Sequence, residues 1–163
     1  SLALARLKET IMGFTAAGIL PTTVTTTKQA PLGFILTVPD GDNGIQEWIY
    51  VYNDSGAGLT AAKIQTRKAG TANYHVAEAG AINPCQAVGL CVTAIPNGSY
   101  GFLLRKGIGT VDAAGTVTAN KGLILVAAGE VTHEAAVTGS AMGNSLAGRS
   151  GAGTFSAFVD CRG

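Results

Sequence analysis

Charge is what this chain has least of. Only 13% of its 163 residues are Asp, Glu, Lys or Arg, about half the ~25% of an ordinary soluble domain. Eleven basic residues against ten acidic ones leave a formal net charge of +1, so no broad positive field exists to draw in nucleic acid. Arg67-Lys68 and Arg105-Lys106 are isolated pairs at strand ends and read as solvated rims. Cysteine is also scarce. Cys85, Cys91 and Cys161 are odd in number, which argues against a disulfide framework. Their spacing, with only two histidines in the chain, does not fit a zinc site. Reduced, partly buried thiols made in a cytoplasm are the expectation. Long apolar runs are missing too. Residues 2–20 are apolar overall, but Arg6, Lys8 and Glu9 interrupt them where a membrane span or a signal-peptide core needs continuity. The reading therefore contains no membrane and no export signal.

What is present is small and apolar. Hydrophobic residues make up 47% and glycine contributes 23 positions, which excludes a solvated, disordered chain. Thr, Ser, Asn, Ala and Gly must cover much of the surface, as suits a subunit covered by copies of itself or by a larger partner. From Ala87 to Cys161 the chain reads as short strands joined by short turns. Asn97-Gly98 lies between the apolar runs 91–95 and 99–104, and its residues tolerate the positive φ of a type I′ hairpin turn. Ala114-Gly115 separates 108–111 from 116–118, Ala128-Gly129 separates 123–127 from 131–137, and a last run covers 154–160. Upstream, 32–38 reads as a strand, residues 39–44 as a turn, and 47–53 as a second strand pairing with the first. In that second strand Trp48, Tyr50 and Tyr52 point one way and Ile49 and Val51 the other. Both faces are apolar, so the strand is expected to be central or sandwiched against a partner. The fold class expected is all-β: a small β-sandwich or β-barrel of short antiparallel strands with an extended N-terminal arm. The arm is residues 1–30 and the body 31–163, the latter divisible into a 31–80 hairpin region and an 81–163 small barrel. Leu4, Leu7 and Ile11 fall at helical spacing within the arm, and 21–27 is Thr-rich and extended.

The apparent chemical motifs do not hold together. Asp40 to Gly44 has faintly calcium-loop spacing, but Val51 stands where the bidentate Glu belongs. Gly56-Ala57-Gly58-Leu59-Thr60-Ala61 approximates a dinucleotide fingerprint without the βαβ unit that motif requires, and a turn into a strand at 62–66 is preferred. Ser145 and Ser150 approximate nucleophile elbows but lack the final glycine and the strand-to-helix setting. His75 and His133 have no local nucleophile or orienting carboxylate. No catalytic, cofactor-binding or metal residues are assigned, and no enzymatic activity is expected.

The residues from 32 onward resemble the small structural proteins of tailed bacteriophages, above all capsid decoration (cement) proteins. The resemblance is carried by 48–53 with Gly58-Leu59-Thr60-Ala61-Ala62, by 88–95 with Asn97-Gly98-Ser99-Tyr100-Gly101-Phe102, and by 112–119, 123–130 and 155–162. It implies a non-enzymatic virion protein that binds the outer surface of an icosahedral capsid and stabilises it. It further implies the major capsid protein as partner and self-association as a homotrimer. An extended arm clamping neighbouring subunits would bury Leu4, Leu7, Ile11 and Phe14. A head-fibre or tail component shares this style. A carbohydrate-binding β-sandwich, with Trp48, Tyr50 and Tyr52 as a stacking platform, is the alternative from outside the virion.

Overall fold

The structure is a computed structural model and describes residues 19–78, 86–134 and 142–161. Leu4, Leu7, Ile11 and Phe14 lie outside the described residues. Among the described residues there are ten strands: β1 (Ile35–Pro39), β2 (Ile45–Asn53), β3 (Ile64–Arg67), β4 (His75–Glu78), β5 (Ala87–Leu90), β6 (Tyr100–Ala113), β7 (Leu123–Leu125), β8 (Val131–His133), β9 (Gly143–Ser145) and β10 (Gly153–Asp160). The protein is mostly β, as expected. Its strands form one mixed ten-stranded sheet that is not a clear barrel. Two pairings among the described residues are parallel, β2 with β4 and β6 with β8.

The period-two alternation of β2 works as its sequence implies. Trp48 and Tyr50 enter the larger apolar cluster with Phe102, Leu104 and Phe155. Ile49 and Val51 enter a second cluster with Leu59, Val76, Val88, Ile95 and Leu103. β2 is flanked by β1 on one side and by β6 on the other, with β4 joining at its C-terminal end. The pairings β2–β4, β4–β3, β3–β5, β5–β6 and β6–β2 return to their starting strand. That circuit encloses the second cluster. Beyond it, β6 continues to pair with β10, which carries β9 on its far side.

β6 departs from the expectation of separate short runs. It is a single strand of 14 residues, in which Arg105-Lys106-Gly107 does not end the strand. Gly107 sits at φ +138 beside a register shift opposite Glu47 and Trp48, so the strand bends there and trades β2 for β10 as its neighbour. Gly109 gives the room that this bend needs: a Cβ on it would stand 2.6 Å from Leu90 Cδ2.

The two glycine turns behave differently. Ala128 and Gly129 both have positive φ (+55 and +71) and join β7 to β8 as an antiparallel hairpin. Asn97-Gly98 turns the chain but does not make the type I′ hairpin. Only Gly98 has positive φ (+76), and the Ser99 amide donates to Pro96 O at 3.2 Å, the pattern of a type II turn. The reason is tertiary. The fully buried Asn53 at the end of β2 donates to Ala57 O (2.7 Å) and Ile95 O (2.8 Å) and accepts from the Ser55 amide. Its own carbonyl accepts from the Gly98 amide at 2.8 Å. Ile95 then bridges to Leu59 instead of returning along β5.

Residues 19–30 lie against the body. Ile19 joins the larger cluster, Val24 packs on the second, Thr25 bridges antiparallel to Tyr100, and the Gln29 amide donates to the Tyr50 hydroxyl at 3.0 Å. Asn53→Ala is expected to cost about 2–4 kcal/mol, because it removes three hydrogen bonds made by a fully buried side chain, to Ala57 O, Ile95 O and the Ser55 amide. Urea denaturation of the two proteins measures this, and a loss below about 0.5 kcal/mol, the usual range for an unremarkable surface change, would contradict the role given to Asn53.

Candidate interaction surface

The aromatic residues of β2 do not form an exposed platform. Tyr50 is 1% exposed and Trp48 6%, so their faces are used in packing. Tyr50 stacks on Tyr100 at 6.0 Å and tilts against Phe102 at 5.0 Å, while Tyr52 lies 4.8 Å from Tyr100 and edge-on to His75. The stacking surface expected for a glycan is therefore absent from Trp48 and Tyr50.

The hydroxyl and imidazole groups singled out in the sequence are dispersed. Ser145 is fully buried on β9; its Oγ donates to Thr118 O (2.6 Å) and accepts from the Lys121 amide (3.1 Å). It closes a loop. Ser150 is exposed at a bend beside Arg149, whose guanidinium donates to Ala152 O and Thr154 O. His133 Nδ1 lies 3.1 Å from Thr116 O. His75 Nδ1 lies 3.2 Å from Asp54 Oδ2, and Lys68 Nζ is 3.4 Å from the same oxygen. The His75 contact, before the Lys68 charge, holds the Asp54 carboxyl below the usual carboxylate range. Burial pushes the Cys91 and Cys161 thiols up to about 12, so both are protonated and poor nucleophiles at neutral pH. No group of three or more potential metal ligands comes together among the described residues.

The surface with the clearest capacity to engage another molecule is the β1 edge, which sequence reading did not single out. Among the described residues β1 pairs with β2 alone. Phe34 O accepts from the Tyr50 amide, while the Gly33 amide, in place of that of Phe34, donates to Tyr50 O, so Gly33 and Phe34 together oppose Tyr50 at a hydrogen-bonded position. Antiparallel alternation then turns the main-chain groups of Ile35, Thr37 and Pro39 away from β2. Those three residues are exposed, whereas Leu36 and Val38 pack on the larger cluster. The strand Ile-Leu-Thr-Val-Pro carries no charge, and only Pro39, which lacks an amide hydrogen, blunts it. Beside it stand Phe34, Ile35 and Ile45, with Ile45 the most exposed large apolar side chain described, at 60%. A shallow cleft of about 440 Å³ opens between the start of β2 and the bend of β6, lined by Gln46, Trp48, Val92, Leu104, Ile108 and Thr110. The signal available in the sequence was the absence of any Lys or Glu from residues 32–39.

No protein-family model matches the chain, and no curated protein matches it in sequence. Among solved structures, its fold is similar to that of the head fiber gp8.5 N base of bacteriophage phi29. The TM-score is 0.52 at 10% identity, covering 69% of this chain and 92% of that one. At that identity the likeness is one of fold.

The Asp54 contact makes a pH prediction. A carboxyl whose folded pKa is depressed adds stability above its unfolded pKa, and loses that contribution as pH falls through the folded value. Asp54→Asn should therefore narrow the gap to the parent protein as pH drops from about 6 to about 2. Urea midpoints across that range test it, and a gap that stays constant would show that the carboxylate contributes nothing.

Proposed function

We propose that this protein is a non-enzymatic structural component of a bacteriophage virion, held on the outer surface of the capsid, where it stabilises the shell. The observation that carries the reading is the fold likeness to the base of a phage head fibre, supported by a body with few charges and an open, uncharged apolar edge. In this reading the major capsid protein is the partner and β1 with Phe34, Ile35 and Ile45 is the face presented to it. An extended segment of the shell would add alongside β1, taking the outward main-chain groups of Ile35 and Thr37. Binding to assembled shells but not to free subunits stabilises the assembly by mass action, and many weak contacts act together through avidity.

A second reading, the base of a head fibre rather than a decoration subunit, is favoured by the same likeness. The two differ in what the base carries. A decoration subunit covers the shell in many copies, whereas a fibre base bears further mass projecting from it.

The test mixes purified protein with expanded shells and measures bound copies after sedimentation, with light scattering of the free protein reporting its oligomeric state. Saturable binding and a raised shell melting temperature are expected, and a trimer in solution would agree with the decoration resemblance. Ile45→Lys and Thr37→Lys should reduce binding by about tenfold or more, since a charge placed in an apolar contact costs upwards of about 1.4 kcal/mol. Unchanged binding by folded variants would remove β1 from the interface, and no binding by the parent protein would sink the capsid reading itself.

A further inference from the structure

The chain contains two asparagine–glycine dipeptides of opposite setting, Asn43-Gly44 and Asn97-Gly98. In such a dipeptide the glycine nitrogen, unshielded by any side chain, attacks the asparagine Cγ after losing its proton. The new C–N bond closes a succinimide as ammonia leaves, and water then opens the ring to aspartate or isoaspartate. No oxidant, metal or second protein is needed. The rate depends on how readily the glycine amide and the asparagine side chain are freed together.

At Asn97-Gly98 both partners are held. The Asn97 Oδ1 accepts from the Gly56 amide at 2.8 Å, tying the side chain across to another loop. The Gly98 amide donates at 2.8 Å to the carbonyl of the fully buried Asn53. Freeing either group disturbs the bond set that closes the end of β2. At Asn43-Gly44 the restraints are local and long. The Asn43 Nδ2 reaches the Asp40 Oδ2 at 3.3 Å, and the Gly44 amide reaches Gly41 O at 3.2 Å. Residues 41–45 are all exposed, and nothing lies within 4 Å of where a Cβ on Gly44 would stand, so the ring has room to close.

We propose that Asn43 is a self-modification site of the folded protein, converting through a succinimide to aspartate and isoaspartate, while the fold protects Asn97. The change removes the chain's formal net charge of +1. It places a third carboxylate beside Asp40 and Asp42 and, in the isoaspartyl product, lengthens the main chain within the turn joining β1 to β2. The Asn43–Asp40 hydrogen bond becomes a like-charge contact, so the modified turn holds β1 less firmly in register.

The experiment incubates the native chain in mildly alkaline buffer and follows the amide-to-acid mass change in the peptides containing Asn43 and Asn97. Conversion at Asn43 is expected to be about tenfold or more faster, because one hydrogen bond's worth of extra opening cost is a factor of about ten in rate. In denaturant the two rates should converge, and Asn43→Ser should abolish the fast conversion while leaving the slow one. Three results would each overturn the proposal: equal or faster conversion at Asn97 in the native chain, no conversion at Asn43, or a rate ratio that persists in denaturant.

Discussion

The pairing of β2 with β6 is the contact on which the remainder of the molecule depends. Six residues of β2 pair with β6, from Glu47 opposite Lys106 to Tyr52 opposite Tyr100, with one register shift between Glu47 and Trp48. Because both strands are apolar on both faces, that pairing creates two surfaces that water cannot be allowed to reach. One is buried by the circuit through β4, β3 and β5, with Leu59 and Ile95 closing over it. The other is buried by β10, β7 and β8 with Ile19, Ala30 and Leu32. β2 and β6 both feed the two clusters, and the continuity of β6 past Gly107 carries the sheet on to β10. A chain this poor in charge has few solvated side chains with which to cover a sheet. It uses its own loops.

Polar groups inside the body are spent on loop closure. Asn53, Ser145 and Ser99 are buried, and the first two hold turns through bonds to main-chain carbonyls. Lys63 is bracketed by Glu130 at 2.9 Å and Asp112 at 3.5 Å, fastening the turn before β3 to β6 and to the β7–β8 hairpin. Arg105 meets Glu47 at 3.1 Å across the bend of β6. These contacts position irregular backbone that apolar packing alone, being non-directional, does not specify.

Much of this was legible in the sequence, and the limits have physical causes. The two faces of β2 followed from strict alternation, and the β1–β2 and β7–β8 hairpins from their turn residues. The Asn97-Gly98 turn was misread because the dipeptide tolerates several turn types, and Asn53, 44 positions away, selects among them. The length of β6 was missed because Arg105-Lys106-Gly107 has the composition of a strand end, while the exchange of neighbours that sustains the strand lies in β10, near the other end of the chain. β9 leaves no signal in the sequence, since its three residues, Gly-Asn-Ser, carry no strand propensity and are held by pairing to β10. The site was least legible of all. An unpaired edge is a property of the assembled sheet, and only the lack of charge in 32–39 foreshadowed it.

The internal pairing of charges bears on how fast this protein meets anything. Lys63, Lys68 and Arg105 each face a carboxylate within 4 Å, so a good part of an already small charge complement is neutralised at home. What projects into solvent is a weak field with a net charge near zero. Encounter with a partner then proceeds by unsteered diffusion, nearer about 10⁵–10⁶ M⁻¹s⁻¹ than the 10⁸–10⁹ reached by oppositely charged pairs. It is correspondingly insensitive to salt. Such a surface finds its target slowly and at similar rates in very different media, so its occupancy is set by how rarely it lets go.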